Sequence, residues 1–189
     1  MLNELLKKSR SIRSFKPGEK VSREMLLKMI ETTRLCPSTA NLQALKFRPV
    51  YEDDECSSVF ENITWAGYLP EGTLPPKGHE STAYIIICLD REISTNAVAF
   101  GKDTGICAQT MLLSATENGY GGCMIGSFNK ENISKALSLP ENLEIMLVLA
   151  LGVPDEAPVT EDSRGDIKYY RRDGVQHVPK RTLEEIVVK

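Results

Sequence analysis

Two stretches of this 189-residue chain have the residue types and spacing to do chemistry. The first is Ser9-Arg10-Ser11-Ile12-Arg13, where hydroxyls and guanidiniums alternate around one isoleucine. Arginine offers a planar fork of donors suited to phosphate, and serine hydroxyls can complete the ring. A solvated basic turn after a helix would read the same way. The second is Pro37-Ser38-Thr39-Ala40-Asn41-Leu42-Gln43, a polar loop without charge. Its amides and hydroxyls can meet a neutral heterocycle from donor and acceptor sides, although an ordinary Asx or Ser/Thr connection has the same composition. Trp65, Tyr68 and His79, in the long glycine- and proline-rich stretch from Thr64 to Ser81, are candidates to line a pocket or to pack under their own loop.

Several function classes are excluded by composition. A net charge of −3 and a pI near 5.6 argue against a nucleic-acid partner. The longest apolar run, Ile145 to Val153, is too short to span a bilayer. The first ten residues read as an amphipathic helix without the apolar core of a signal peptide. Five cysteines, an odd number, lie far apart with no C-x-x-C, which disfavours both a disulfide framework and a zinc site. Two histidines are too few for a histidine-rich metal centre. A soluble cytoplasmic protein with one domain over residues 1–189 and no membrane partner is the expectation.

The elements that must position these groups follow from periodicity. Leu2 to Lys8 is expected as a first helix, and Ser22 as the N-cap of a second that carries Met25, Leu26, Met29, Ile30 and Thr33 on one stripe and stops at Cys36-Pro37. Strands are expected at Phe47–Glu52, Ala83–Leu89, Tyr120–Ile125, Leu143–Val153 and Leu183–Val188, with short helices at Asp53–Asn62 and up to Leu137. The centre is a long helix after Asn96, ended by Asn118-Gly119. Gly101, Gly105, Ala108, Leu112 and Ala115 share a stripe of it. Glycine in a helix costs about 1 kcal/mol, so something must come close: a neighbour in the same chain, or a second copy.

With these pieces in order, the chain resembles the nitroreductase family of FMN-dependent oxidoreductases over nearly its whole length. Ser9 to Arg13 resembles the family's basic-serine motif for the FMN phosphate. Ser38 to Gln43 with Phe47 resembles its P-S-x-x-N-x-Q-P-W-x-F loop, Gly121 to Gly126 its G-x-x-x-x-W-I-G strand end, and Lys180-Arg181 to Val187 its closing basic pair and strand. The resemblance implies an α+β fold, a mixed sheet of about five strands flanked by helices, in a homodimer that exchanges the C-terminal strand. It also implies that Ser9, Arg10, Ser11, Arg13, Lys180 and Arg181 hold phosphate. Ser38, Asn41 and Gln43 would orient the flavin, with the Ile125-Gly126 backbone beside it. Departures are Ser9 at the first basic position, which leaves one phosphate contact missing or supplied by Lys8, and Ala44-Leu45 for P-W and Met124 for W, which reshape the cavity beside the flavin.

The implied activity is electron transfer from NAD(P)H through flavin N5 to a nitroaromatic, quinone or similar small acceptor, in ping-pong fashion, with no catalytic side chain required. Two alternatives carry over: a non-catalytic flavin-binding protein of the same fold, and a redox enzyme using Cys36 or Cys123.

Overall fold

A computed structural model describes residues 2–65, 74–163 and 165–188. Tyr68 lies outside them. The elements, in order, are α1 (Leu2–Lys8), α2 (Arg23–Thr32), β1 (Leu45–Val50), α3 (Asp53–Phe60), β2 (Ala83–Asp90), α4 (Ala97–Glu117), β3 (Gly121–Ile125), α5 (Lys130–Ala136), β4 (Leu143–Gly152), β5 (Val159–Asp162), β6 (Tyr170–Arg172), β7 (Val175–Lys180) and α6 (Leu183–Ile186).

Strand β2 explains the layering. All eight of its residues are buried, and successive side chains point to opposite faces. Ala83, Ile85 and Ile87 pack with Leu26 and Met29 of α2 and with Ala108, Met111 and Ala115 of α4. Tyr84, Ile86 and Cys88 pack on the other face with Val59 of α3 and Ile133 of α5. Helices thus cover both faces of a sheet ordered β1-β2-β4-β3. The helix starts are set by side chains: Ser22 accepts the Met25 N–H, Asn96 that of Ala99 and Asn129 that of Asn132.

Three expectations change. First, the main sheet is antiparallel at every pairing rather than mixed; mixed pairing occurs in a second sheet, β5-β7-β6, built from the C-terminal arm. Second, this sheet was not anticipated, although Arg172-Asp173-Gly174-Val175 carries a two-residue hairpin signal, with both central residues at positive φ. Third, the start of Leu183–Val188 is not a strand. Leu183–Ile186 forms one helical turn because Thr182 and Glu185 make a reciprocal capping box, and its Leu183 and Ile186 are exposed. No helix among the described residues is long and apolar enough to cross a membrane.

Candidate functional site

The N-terminal basic motif is seated by two glycines. The Ile12 N–H donates to the Gly122 carbonyl at 3.0 Å, and Ser11 bridges Gly122 in parallel. A Cβ on Gly122 would collide with the Ala150 carbonyl oxygen, and one on Gly121 would come within 2.8 Å of Ile12 Cγ1. The buried Ile12 is the peg, and the arginines on either side of it stay outside the core.

Around that seat lies a cavity of about 300 Å³ whose walls include Ser9, Arg10, Ser11, Arg13, Met124 of β3 and Lys180 of β7. Arg10 folds back over the end of α1, its Nε donating to the Ser9 carbonyl at 2.8 Å and its Nη2 to that of Leu6 at 2.7 Å. Arg13 lies over the Tyr169 ring, 5.3 Å from its centroid. Its backbone N–H donates to Glu156 Oε1 at 2.5 Å, and Arg171 Nη2 donates to Glu156 Oε2, also at 2.5 Å. The C-terminal arm is thereby tied across the motif. Among the described residues, Arg10, Arg13 and Lys180 have no carboxylate ion-pair partner. That unmet charge suits an anion with several oxygens.

A second cavity, about 170 Å³, opens beside the polar loop, with Cys36, Ser38, Gln43, Phe47, Asp103 and Cys107 among its walls. Its organiser is Asp103 of α4, 4 % exposed. Asp103 Oδ2 accepts from Ser38 Oγ and from the Thr39 N–H, both at 2.8 Å, and Oδ1 accepts from Thr39 Oγ1 at 2.7 Å. Burial pushes this carboxyl up, and the hydrogen bonds from Thr39 and Ser38 more than offset that, holding it below the ordinary aspartate value. Asp103 went unremarked in the sequence reading, although it is an acidic side chain on an otherwise apolar or small-residue side of α4.

The two cavities share no wall residue. Asp103 and Cys107 face one and Gln109 and Leu112 the other, and at about 100° per residue these pairs point to roughly opposite sides of α4. The structure therefore brings Ser9, Arg10, Ser11, Arg13 and Lys180 together, and Ser38 with Gln43 separately. Asn41 and Gln43 are exposed, and Arg181 is not a wall of the basic cavity. The Ile125 side chain is buried under the sheet, so Met124 faces the cavity, while Gly126 is open. Trp65 packs by Phe60, with ring centroids 6.5 Å apart. His79 Nδ1 lies 2.9 Å from Asp155 Oδ2, so neither of these two reaches the two cavities.

Comparison with known proteins decides the relationship. The nitroreductase family model matches residues 6–153. The chain belongs to the nitroreductase family. A relative from Archaeoglobus fulgidus, whose name pairs NADH dehydrogenase with NAD(P)H nitroreductase, is 27% identical over 152 residues, covering 78% of this chain and 82% of its own. Among solved structures, a nitroreductase family protein from Clostridium novyi NT is 28% identical with a TM-score of 0.66, over 82% of this chain and 86% of that one. An FMN-dependent nitroreductase from Clostridium difficile R20291 is 26% identical with a TM-score of 0.69, over 92% and 99%. Both nitroreductases share the α+β architecture described above.

Proposed function

We propose that this chain is an FMN-dependent oxidoreductase that takes electrons from NAD(P)H and passes them to a small oxidised acceptor, a nitroaromatic, a quinone or a similar molecule. The observation that carries the reading is the convergence of Arg10, Arg13 and Lys180, drawn from both ends of the sequence, on one cavity, with no carboxylate ion-paired to their side chains among the described residues. Ser9 and Ser11 add hydroxyls to the same wall. These residues fit the phosphate of FMN, and the FMN-dependent relative from Clostridium difficile supports that choice. When bound, the flavin supplies the hydride and electron chemistry. The protein's own groups bind and orient: the basic cavity holds the phosphate, and the Ser38–Gln43 loop offers amides to the ring.

That loop and the basic cavity lie on opposite sides of α4, so a second copy of the chain is what joins them. The side of α4 that carries Gln109 and Leu112 continues toward its start as Val98, Gly101 and Gly105, all exposed, and neither glycine has a neighbour within 4 Å of a would-be Cβ. A homodimer packed on this bare side would complete two sites. The Leu183 and Ile186 turn, equally exposed, is a second segment for exchange between copies. The test is the visible spectrum of the purified protein before and after NAD(P)H, followed by steady-state turnover with a quinone. A flavin spectrum that bleaches and recovers, with parallel double-reciprocal lines, is expected. Bleaching without turnover would instead favour a flavin-binding protein without catalysis, and no flavin at all would overturn the reading.

A further inference from the structure

The Ser38–Gln43 loop holds a shape that its residues do not favour. Ala40, Asn41 and Gln43 all have positive φ, at 49°, 54° and 50°, a region that side chains with a Cβ seldom occupy and that only asparagine among these three tolerates well. Local bonds are modest: Asn41 N–H to the Ser38 carbonyl at 2.9 Å, Leu42 N–H to that of Thr39 at 3.0 Å, and a long Gln43 Nε2 contact to the Asn41 carbonyl at 3.3 Å. The remaining restraint comes from outside the loop. Asp103, fixed on the buried side of α4, takes three donors from Ser38 and Thr39. Ser38 Oγ, with its proton committed to Asp103, accepts the Gln43 N–H at 3.0 Å. A continuous run of bonds therefore leads from Asp103 through Ser38 to Gln43, at the far end of the loop.

We infer that Asp103 is the positioning residue of this loop: its carboxylate holds Ser38 and Thr39 so that Asn41 and Gln43 are presented in a fixed direction. This rests on the flavin reading above and deepens it. Ser38 becomes a link in the support, its hydroxyl proton already used, and Asn41 and Gln43 become the groups that meet the ligand. A carboxylate accepts all three bonds with the help of its charge. An amide of the same shape keeps the two bonds to Oδ2 only as neutral ones, and Thr39 Oγ1 must turn from donor to acceptor.

The test is a double-mutant cycle on FMN affinity, read by quenching of flavin fluorescence as apoprotein is titrated, using Asp103→Asn, Asn41→Ala and the pair together. Loss of charge-assisted bonds should weaken FMN binding by about ten- to a hundredfold in Asp103→Asn. If Asp103 acts through the loop, the double variant should bind no more weakly than the worse single one, with the apoproteins melting within a few degrees of one another. Asp103→Asn that binds FMN as wild type does overturns the inference, and so do losses that multiply in the double variant. Wild-type protein that leaves FMN fluorescence unquenched overturns the cofactor reading, and this one with it. Should Asp103→Asn fail to fold, Ser38→Ala cuts the same run of bonds one link further out and carries the same expectation and the same overturning results.

Discussion

The two cavities against α4 use charge in opposite ways. In the basic cavity the side-chain charges of Arg10, Arg13 and Lys180 form no ion pair with a carboxylate among the described residues, although Glu156 takes the Arg13 backbone N–H. In the loop cavity the charge of Asp103 is consumed by Ser38 and Thr39 before any ligand arrives. The first keeps its electrostatic energy for a partner, and the second uses it to hold a shape. Charge found in a pocket is thus no guide to binding until its internal partners have been counted.

The largest effect should come from the unmet charge. Replacing Arg10 and Arg13 together by alanine removes two charge-assisted contacts worth about 1.5–3 kcal/mol each, hence roughly a hundred- to ten-thousandfold in FMN affinity. Flavin content after gel filtration and calorimetric titration of the apoprotein measure this. Arg10 also braces the end of α1, so circular dichroism should report a small helix loss beside it. A double variant that keeps a full complement of flavin would end the phosphate assignment.

Next in size is the seat of that cavity. Gly122→Ala forces a methyl against the Ala150 carbonyl, and overpacking of this kind costs about 1–3 kcal/mol. Melting should fall by about 2–10 °C for a chain of this length, with weaker FMN binding because Ser11 is displaced. Gly126→Ala is the control, since nothing lies within 4 Å of its would-be Cβ. Equal melting of the two variants would show that the close approach at Gly122 is relaxed at no cost.

Neither cavity was fully legible in the residues. Ser9 to Arg13 stood out because alternating hydroxyls and guanidiniums are unusual, but a solvated basic turn has the same pattern, and Lys180 entered only through the family resemblance. The helix start at Ser22 could be read because capping is local chemistry, and the long helix after Asn96 from its unbroken apolar pattern. Asp103 could not, since its three partners lie 64 or 65 positions away and a single acid in a helix carries no periodic signal. The turn at Leu183–Ile186 was missed although the Thr182–Glu185 capping box was in view, because the β-branched Ile186-Val187-Val188 drew the reading toward a strand. Met124 stands out in the sequence only as a departure from the family's W; that it faces the cavity is a finding of the structure.

A smaller effect sharpens the contrast between the sides of α4. Gly105 lies on the bare side, and alanine there should stabilise an isolated helix by about 1 kcal/mol. If a second copy packs on that side, as proposed, the added methyl meets the partner instead. The expectation is a lower melting temperature and a larger dimer dissociation constant by sedimentation, with Gly105→Leu more severe. A rise in melting with unchanged assembly would mean that this side stays bare and the copies meet elsewhere.

The smallest effect concerns the thiols of the loop cavity. Cys36 and Cys107 both line it, and Cys36 Sγ donates to Thr110 Oγ1 at 3.2 Å. Thiolate is the nucleophilic form, and burial with the neighbouring Cys36 pushes the Cys107 thiol up to about 12. At neutral pH such a thiol stays protonated. Cys123, under the sheet, is likewise pushed up to about 12 by burial. A redox role for these two thiols would need an ionised sulfur that the interior disfavours, whereas a packing role needs none. Cys36→Ser, Cys107→Ala and Cys123→Ala should therefore keep turnover per bound flavin within a few-fold, while the two buried positions lose about 1–2 kcal/mol of stability. Turnover should be normalised to flavin content, because a loosened loop would lower occupancy without touching the chemistry. A hundredfold loss in any variant that retains its flavin would make that sulfur a participant, and the loop cavity would then hold a redox centre of its own instead of a support for the one across the helix.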